Sequence, residues 1–332
     1  MTERPKILVT QKVPDPAYPL IEAIGDVEAN MEEGVIWPYE ELLRRGPGHD
    51  YIFCLLTDDI DARFLEACVA STPRLKLVAN MAVGFNNIDV EAATRLGIGI
   101  SNTPGVLSDT TADFAFALLM ATARRIPEAE RYLRAGKYKG WGPLLFCGAE
   151  IHQATLGLIG AGRIGKIVAK RASGFEMKVI YYDVYRMSAE EEATYNMTYM
   201  PIDDVLKQAD FISIHTPYMP STHHLISERE LSLMKPSAIL INTARGPIVD
   251  EKALVKALQS GIIAGAGLDV FENEPAVEPE LMTMENVVIT PHIASASLKT
   301  RTLMATMASD NIVAHFHGQL PPNIVNPEVL GR

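Results

Sequence analysis

At 332 residues the chain is long for one hydrophobic core, so two domains are the natural expectation. Hydrophobic residues make up 48% and charged residues 21%, the proportions of an ordinary folded protein. The formal net charge of −11 argues against nonspecific binding to nucleic acid or an anionic membrane, although local cations can still attract an anionic small molecule.

The chain opens with MTERPKILVT, which is charged and passes straight into an apolar run, unlike a signal peptide. No apolar stretch is long enough to span a bilayer. Cys54, Cys68 and Cys147 form no CxxC or Cys/His metal spacing. They read as small core residues in a reducing compartment, so a cytoplasmic protein without a metal is expected.

Short apolar runs at 7–10, 51–57, 75–80 and 98–101 read as strands with helical segments between them. Such alternation marks parallel α/β structure. Thr103-Pro104-Gly105 breaks the pattern. The apolar stretch 112–125 then reads as a buried helix that connects two domains, and the Gly-, Pro- and aromatic-rich stretch 136–148 as a loop. A second α/β series follows, with strands expected at 155–159, 178–183, 209–215, 238–242, 265–270 and 287–290. The stretch 295–317 has helical composition. The economical division is a central domain at 103–294, with 1–102 and 295–332 forming the other domain together.

Gly160-Ala161-Gly162-Arg163-Ile164-Gly165 is a GxGxxG sequence that follows an apolar strand and opens a helical pattern. This is the context a dinucleotide-binding turn requires. Gly160 allows a tight turn, Gly162 a close backbone approach to pyrophosphate, and Gly165 close packing of helix on strand. The helix N-terminus offers N–H groups and partial positive charge to phosphate. Asp183 ends the next strand, 18 positions after Gly165. Its carboxylate suits the adenosine-ribose hydroxyls and repels a 2′-phosphate, which favours NAD over NADP. Arg186 qualifies that reading, because a nearby cation can tolerate the phosphate.

In open parallel sheets ligands bind beyond the carboxyl ends of strands. Arg245, Glu274 and His292 each fall just past such an end. An arginine presents a planar fork of donors to a keto acid carboxylate. A histidine can give a proton to the oxygen on which charge grows as hydride reaches C2. A carboxylate hydrogen-bonded to that histidine favours its charged form and fixes its orientation. Glu272 competes with Glu274 for this last role, and spacing does not separate them.

The chain resembles the D-isomer-specific 2-hydroxyacid dehydrogenase family over nearly its whole length. Four ordered motifs carry the likeness: the glycine turn with Asp183, Asn242-Thr243-Ala244-Arg245-Gly246, the run from Gly267 to Pro275, and Thr290-Pro291-His292. The resemblance implies two doubly wound parallel α/β domains with a cleft between them. One would be a Rossmann-type NAD domain and the other a flavodoxin-like substrate domain. It implies Arg245, Glu274 (rather than Glu272) and His292 as the catalytic set. It also implies cofactor contacts at Thr111, Arg163, Ile164, Thr216, Pro217, Thr243 and Asp269, the last on the nicotinamide carboxamide. Backbone N–H groups at Val83 and Gly84 would meet the substrate carboxylate.

Within the family the chain is most similar to glyoxylate and hydroxypyruvate reductases, through the runs at 102–109, 140–146 and 292–297. This implies NADH-dependent reduction of glyoxylate or hydroxypyruvate to glycolate or D-glycerate, and a homodimer with the loop of Trp141 near the subunit contact. Many glyoxylate reductases carry Arg-, Ser- or Thr-type residues where this chain has Asp183, which shifts the cofactor expectation toward NADH while leaving NADPH open. A lactate- or phosphoglycerate-type dehydrogenase, or an NAD(H)-sensing module without catalysis, are the alternatives.

Overall fold

Continuous apolar runs form strands that are covered on both faces. In the computed structural model, which describes residues 4–330, the first of these is β1 (Lys6–Val9). It is followed by β2 (Asp26–Ala29), β3 (Tyr51–Cys54), β4 (Leu77–Asn80) and β5 (Gly99–Ser101). All pair in parallel in the order β2-β1-β3-β4-β5. That order is the flavodoxin-like doubly wound arrangement. β3, β4 and β5 are buried at every position, as parallel strands between helix layers must be. β2 lies at the sheet edge and alternates exposed with half-buried residues, so no apolar run announced it.

The expected strand 51–57 stops at Cys54 because Asp58 turns the chain. Its Oδ2 accepts the Leu55 N–H at 2.7 Å, and its own N–H donates to Leu55 O. The helix Leu298–Phe316 returns to this sheet. Its Ser309 hydroxyl donates to Ala17 O at 3.0 Å, and His315 Nδ1 lies 3.2 Å from the Tyr51 hydroxyl. Beyond it, buried Asn326 accepts the Ile100 N–H at 2.7 Å and donates to Ile98 O at 2.9 Å, stitching the C-terminal segment to β5.

The second sheet comprises β6 (Thr155–Ile159), β7 (Lys178–Tyr182), β8 (Met197–Tyr199), β9 (Phe211–Ile214), β10 (Ile239–Asn242), β11 (Gly265–Leu268) and β12 (Val287–Ile289). All are parallel, in the order β12-β11-β10-β9-β6-β7-β8. Strand order reverses between β6 and β9, the switch point of a Rossmann-type sheet. The helix Ser108–Ala123 packs on this sheet. A Cβ at Gly267 would lie 2.8 Å from the Thr122 hydroxyl and 2.9 Å from Leu118, so glycine admits the helix close to β11.

The chain divides into one unit running to Leu107 and resuming at Ala296, and another over Ser108–Ser295. The first boundary falls later than the expected 102. Asn102 N–H donates to Asn323 O and Thr103 N–H to Ala82 O, which ties the Thr-Pro-Gly segment to the first unit. Cys54 and Cys68 are buried as expected, but Cys147, on the 136–148 loop whose Trp141 and Leu144 are also bare, is exposed. Among the described residues no helix is long and apolar enough to cross a membrane.

Candidate active site

The turn after β6 is built by glycine. Gly160 takes a φ of +99°, and a Cβ there would lie 2.7 Å from the His215 backbone. A Cβ at Gly165 would come within 2.4 Å of Gly160 O, so the helix Arg163–Ala172 starts hard against the turn. Gly162 is its N-cap, no side chain caps its first turn, and nothing lies within 4 Å of where a Cβ would stand. An uncapped helix start with open space before it suits a pyrophosphate. Asp183 closes the other side. Its Oδ2 accepts the Ala161 N–H at 2.7 Å and its Oδ1 the Tyr185 N–H at 3.1 Å.

Thr216 follows β9 and Thr243 follows β10, and the buried hydroxyl of each has no hydrogen-bond partner. Buried hydroxyls without partners are costly unless a ligand completes them. With the open glycine turn, they fit a dinucleotide laid along these strand ends. Thr111 is buried in the helix Ser108–Ala123, Arg163 and Pro217 are exposed, and Ile164 is half-buried.

Arg245, Glu274 and His292 come from the ends of β10, β11 and β12. Asn242 shapes the first of these loops, accepting the Ala244 N–H at 3.0 Å and donating to Arg245 O at 3.0 Å. Arg245 donates to Ala244 O at 2.7 Å. Burial pulls its pKa below the usual arginine value, and the charge of Glu274 opposes that. Gly246 follows. A Cβ there would fall 1.8 Å from the Phe271 carbonyl, so only glycine lets the Arg245 loop lie against the loop that carries Glu274.

His292 Nδ1 lies 2.9 Å from Glu274 Oε2. Glu274 Oε1 accepts the Phe271 N–H at 2.9 Å. Burial opposes ionisation of Glu274, but the hydrogen bond and charge of His292, the Phe271 N–H and Arg245 outweigh it and hold the carboxyl below its ordinary range. Glu272 faces elsewhere: its Oε1 lies 2.8 Å from His224 Nε2, and its Oε2 accepts the Glu251 N–H at 3.2 Å. Of the two glutamates, Glu274 is thus the one that meets His292, as the resemblance implied.

Asp269 shows a role the sequence did not reveal. It is fully buried, with Oδ1 accepting the Thr290 hydroxyl at 2.7 Å and the Ile293 N–H at 2.8 Å, and Oδ2 accepting the Ala294 N–H at 2.8 Å. Burial raises its pKa against those bonds. The carboxylate clamps both sides of His292, whose φ of +54° is a left-handed conformation that non-glycine residues seldom adopt. Val83 and Gly84 lie in the other unit, after β4. There Asn102 donates to Val83 O at 2.8 Å and Asn80 to Gly84 O at 3.0 Å.

Gly246→Ala should destabilise the chain by about 2 kcal/mol or more in urea unfolding, the cost of overpacking against rigid backbone, and turnover should fall with it. Wild-type stability would contradict the packing. Behind the glycine turn, burial lowers the His215 pKa from 6.5 to about 4, with Nε2 2.9 Å from the Ser213 hydroxyl. The unfolded chain then binds the extra proton first, so stability is lost on acidification from about pH 6.5 toward 4. Between pH 7.5 and 5 the wild type should lose about 2 kcal/mol more than His215→Asn. Equal losses would show that the imidazole titrates normally.

The model of the D-isomer specific 2-hydroxyacid dehydrogenase NAD binding domain matches residues 116–294. The chain is 47% identical over 331 residues to a glyoxylate reductase of Korarchaeum cryptofilum, covering 98% of this chain and 97% of that one. It is 45% identical over 331 residues to a glyoxylate reductase of Pyrococcus furiosus, with 98% and 97% covered. A solved protein of Thermus thermophilus superposes with a TM-score of 0.89 at 42% identity, over 96% of this chain and 99% of its own. An NADPH-dependent glyoxylate/hydroxypyruvate reductase of Sinorhizobium meliloti, solved with NADP and malonate, gives 0.84 at 33% identity with 98% of both chains covered. Sheet order, glycine turn and sequence likeness thus agree, and the chain belongs to the D-isomer specific 2-hydroxyacid dehydrogenase family of oxidoreductases.

Proposed function

We propose that the chain reduces a small 2-keto acid, glyoxylate or hydroxypyruvate, to glycolate or D-glycerate, with NADH preferred over NADPH. The observation that carries this reading is the 2.9 Å pair of His292 Nδ1 with Glu274 Oε2, in the same unit as Arg245 and the glycine turn. The relatives named glyoxylate reductase support the substrate class.

An ionised carboxylate only accepts, so the Nδ1 proton points at Glu274 and Nε2 is left to exchange a proton with substrate. A bound reduced nicotinamide supplies hydride to C2. His292 gives its Nε2 proton to the carbonyl oxygen as the C=O π bond breaks and an O–H bond forms, and it takes that proton back in the oxidative direction. Arg245 holds the substrate carboxylate through its planar fork. The turn shaped by Gly160 and Gly165 presents Gly162, Arg163 and Ile164 to the pyrophosphate, and Asp183 takes the ribose hydroxyls. Thr111, Thr216, Pro217, Thr243 and Asp269 complete the cofactor path.

The stretch 136–148 exposes Trp141 at 83% and Leu144 at 85%. Apolar side chains this bare fit burial against a second copy, so a homodimer belongs to the proposal. The three unpaired cysteines fit a cytoplasmic location.

His292→Ala should lower kcat for glyoxylate and hydroxypyruvate by roughly 10²–10⁴, with NADH affinity within about twofold of wild type. Unchanged turnover would remove the histidine from the mechanism. In light scattering the wild type should have twice the chain mass, and Trp141→Ser with Leu144→Ser should shift it toward the monomer. A monomeric wild type would reject the dimer.

A further inference from the structure

The loop after β7 carries a charge arrangement that cofactor binding alone does not require. Asp183 stands at its start, and Arg186 follows three residues later. A guanidinium so placed can accept the 2′-phosphate that Asp183 repels. Here the guanidinium is already occupied. Its Nε donates to Glu192 Oε1 at 2.8 Å and its Nη2 to Glu192 Oε2 at 3.1 Å. Its Cζ lies over the Tyr199 ring, 5.3 Å from the centroid.

Glu192 is not a loose surface partner. It sits in the first turn of the helix Ala189–Tyr195, with 15% of its side chain exposed against 62% for Arg186. The Tyr181 hydroxyl donates to Oε1 at 2.9 Å and itself accepts the Met187 N–H at 3.0 Å. The carboxylate is thus tied to β7 and to the chain just after Arg186. The bonds from Arg186 and Tyr181 hold its carboxyl below the usual range, so the pair stays charged. A bidentate carboxylate uses the same parallel donors that a phosphate would take.

We propose that Glu192 is a specificity-determining residue: by locking Arg186 in a two-pronged ion pair it withholds the cation that a 2′-phosphate needs, and so favours the dinucleotide with a free 2′-hydroxyl. Asp183 repels the phosphate directly, and Glu192 acts through Arg186 as a positioning residue. The inference rests on reading the glycine turn and Asp183 as the adenosine side of the cofactor site. It does not depend on which keto acid is reduced.

Calorimetric titration of the full chain with ADP and with 2′,5′-ADP tests this without substrate or turnover. Glu192→Gln should tighten 2′,5′-ADP about tenfold and leave ADP within about twofold, as expected when a charged donor pair is released. Adding Arg186→Ala should abolish the gain, and Arg186→Ala alone should leave both ligands unchanged. The ratio of kcat/KM for NADPH over NADH should rise in Glu192→Gln in parallel. No change, or an equal change for both ligands, overturns the proposal. So does selective loss of 2′,5′-ADP affinity in Arg186→Ala alone, since the arginine would then already serve the phosphate. A wild-type chain that does not bind ADP overturns the nucleotide reading, and the lock with it.

Discussion

The site depends on one hydrogen-bonded pair, His292 with Glu274, and on the backbone that holds it. Neither partner sits on a regular element, since each lies on a loop past a strand end. Loops keep such geometry only when polar bonds and close contacts over-determine it. Two devices do so here. The buried carboxylate of Asp269 takes three hydrogen bonds from the residues around His292 and keeps it in a left-handed conformation. Gly246 lets the Arg245 loop press on the Phe271 carbonyl, which fixes the loop of Glu274.

Much of this was legible because the constraints are local. Strands covered on both faces read as apolar runs, and a GxGxxG turn between strand and helix is determined within a few residues. Arg245, Glu274 and His292 were found as ionisable residues just past strand ends. What the sequence hid depends on distant contacts. The edge strand β2 lacks an apolar run because half of it faces solvent. Spacing alone left Glu272 and Glu274 open and only the resemblance named Glu274; the physical reason is His224, 48 positions away, which engages Glu272 and leaves Glu274 to His292. The clamp by Asp269 joins residues more than twenty positions apart, and no local pattern marks it.

The nucleotide side follows the same logic of charges set by second partners. Asp183 is fixed by two backbone N–H groups, so its charge is held beside the glycine turn. Arg186 is a nearby cation in sequence, but its fork is turned to Glu192. Counting charges in the loop would balance the acid against the base. The hydrogen-bond pattern shows instead that the base is already spent on a partner of its own.

Glu274, as the acceptor at 2.9 Å, should hold the Nδ1 proton of His292 and leave Nε2 free to exchange. Nitrogen-15 NMR of histidine-labelled protein, with His292→Gln used to assign the signal, reads the tautomer of the neutral ring directly. The neutral imidazole should keep its proton on Nδ1, and Glu274→Gln should weaken this preference. A neutral ring protonated on Nε2 in the wild type would contradict it.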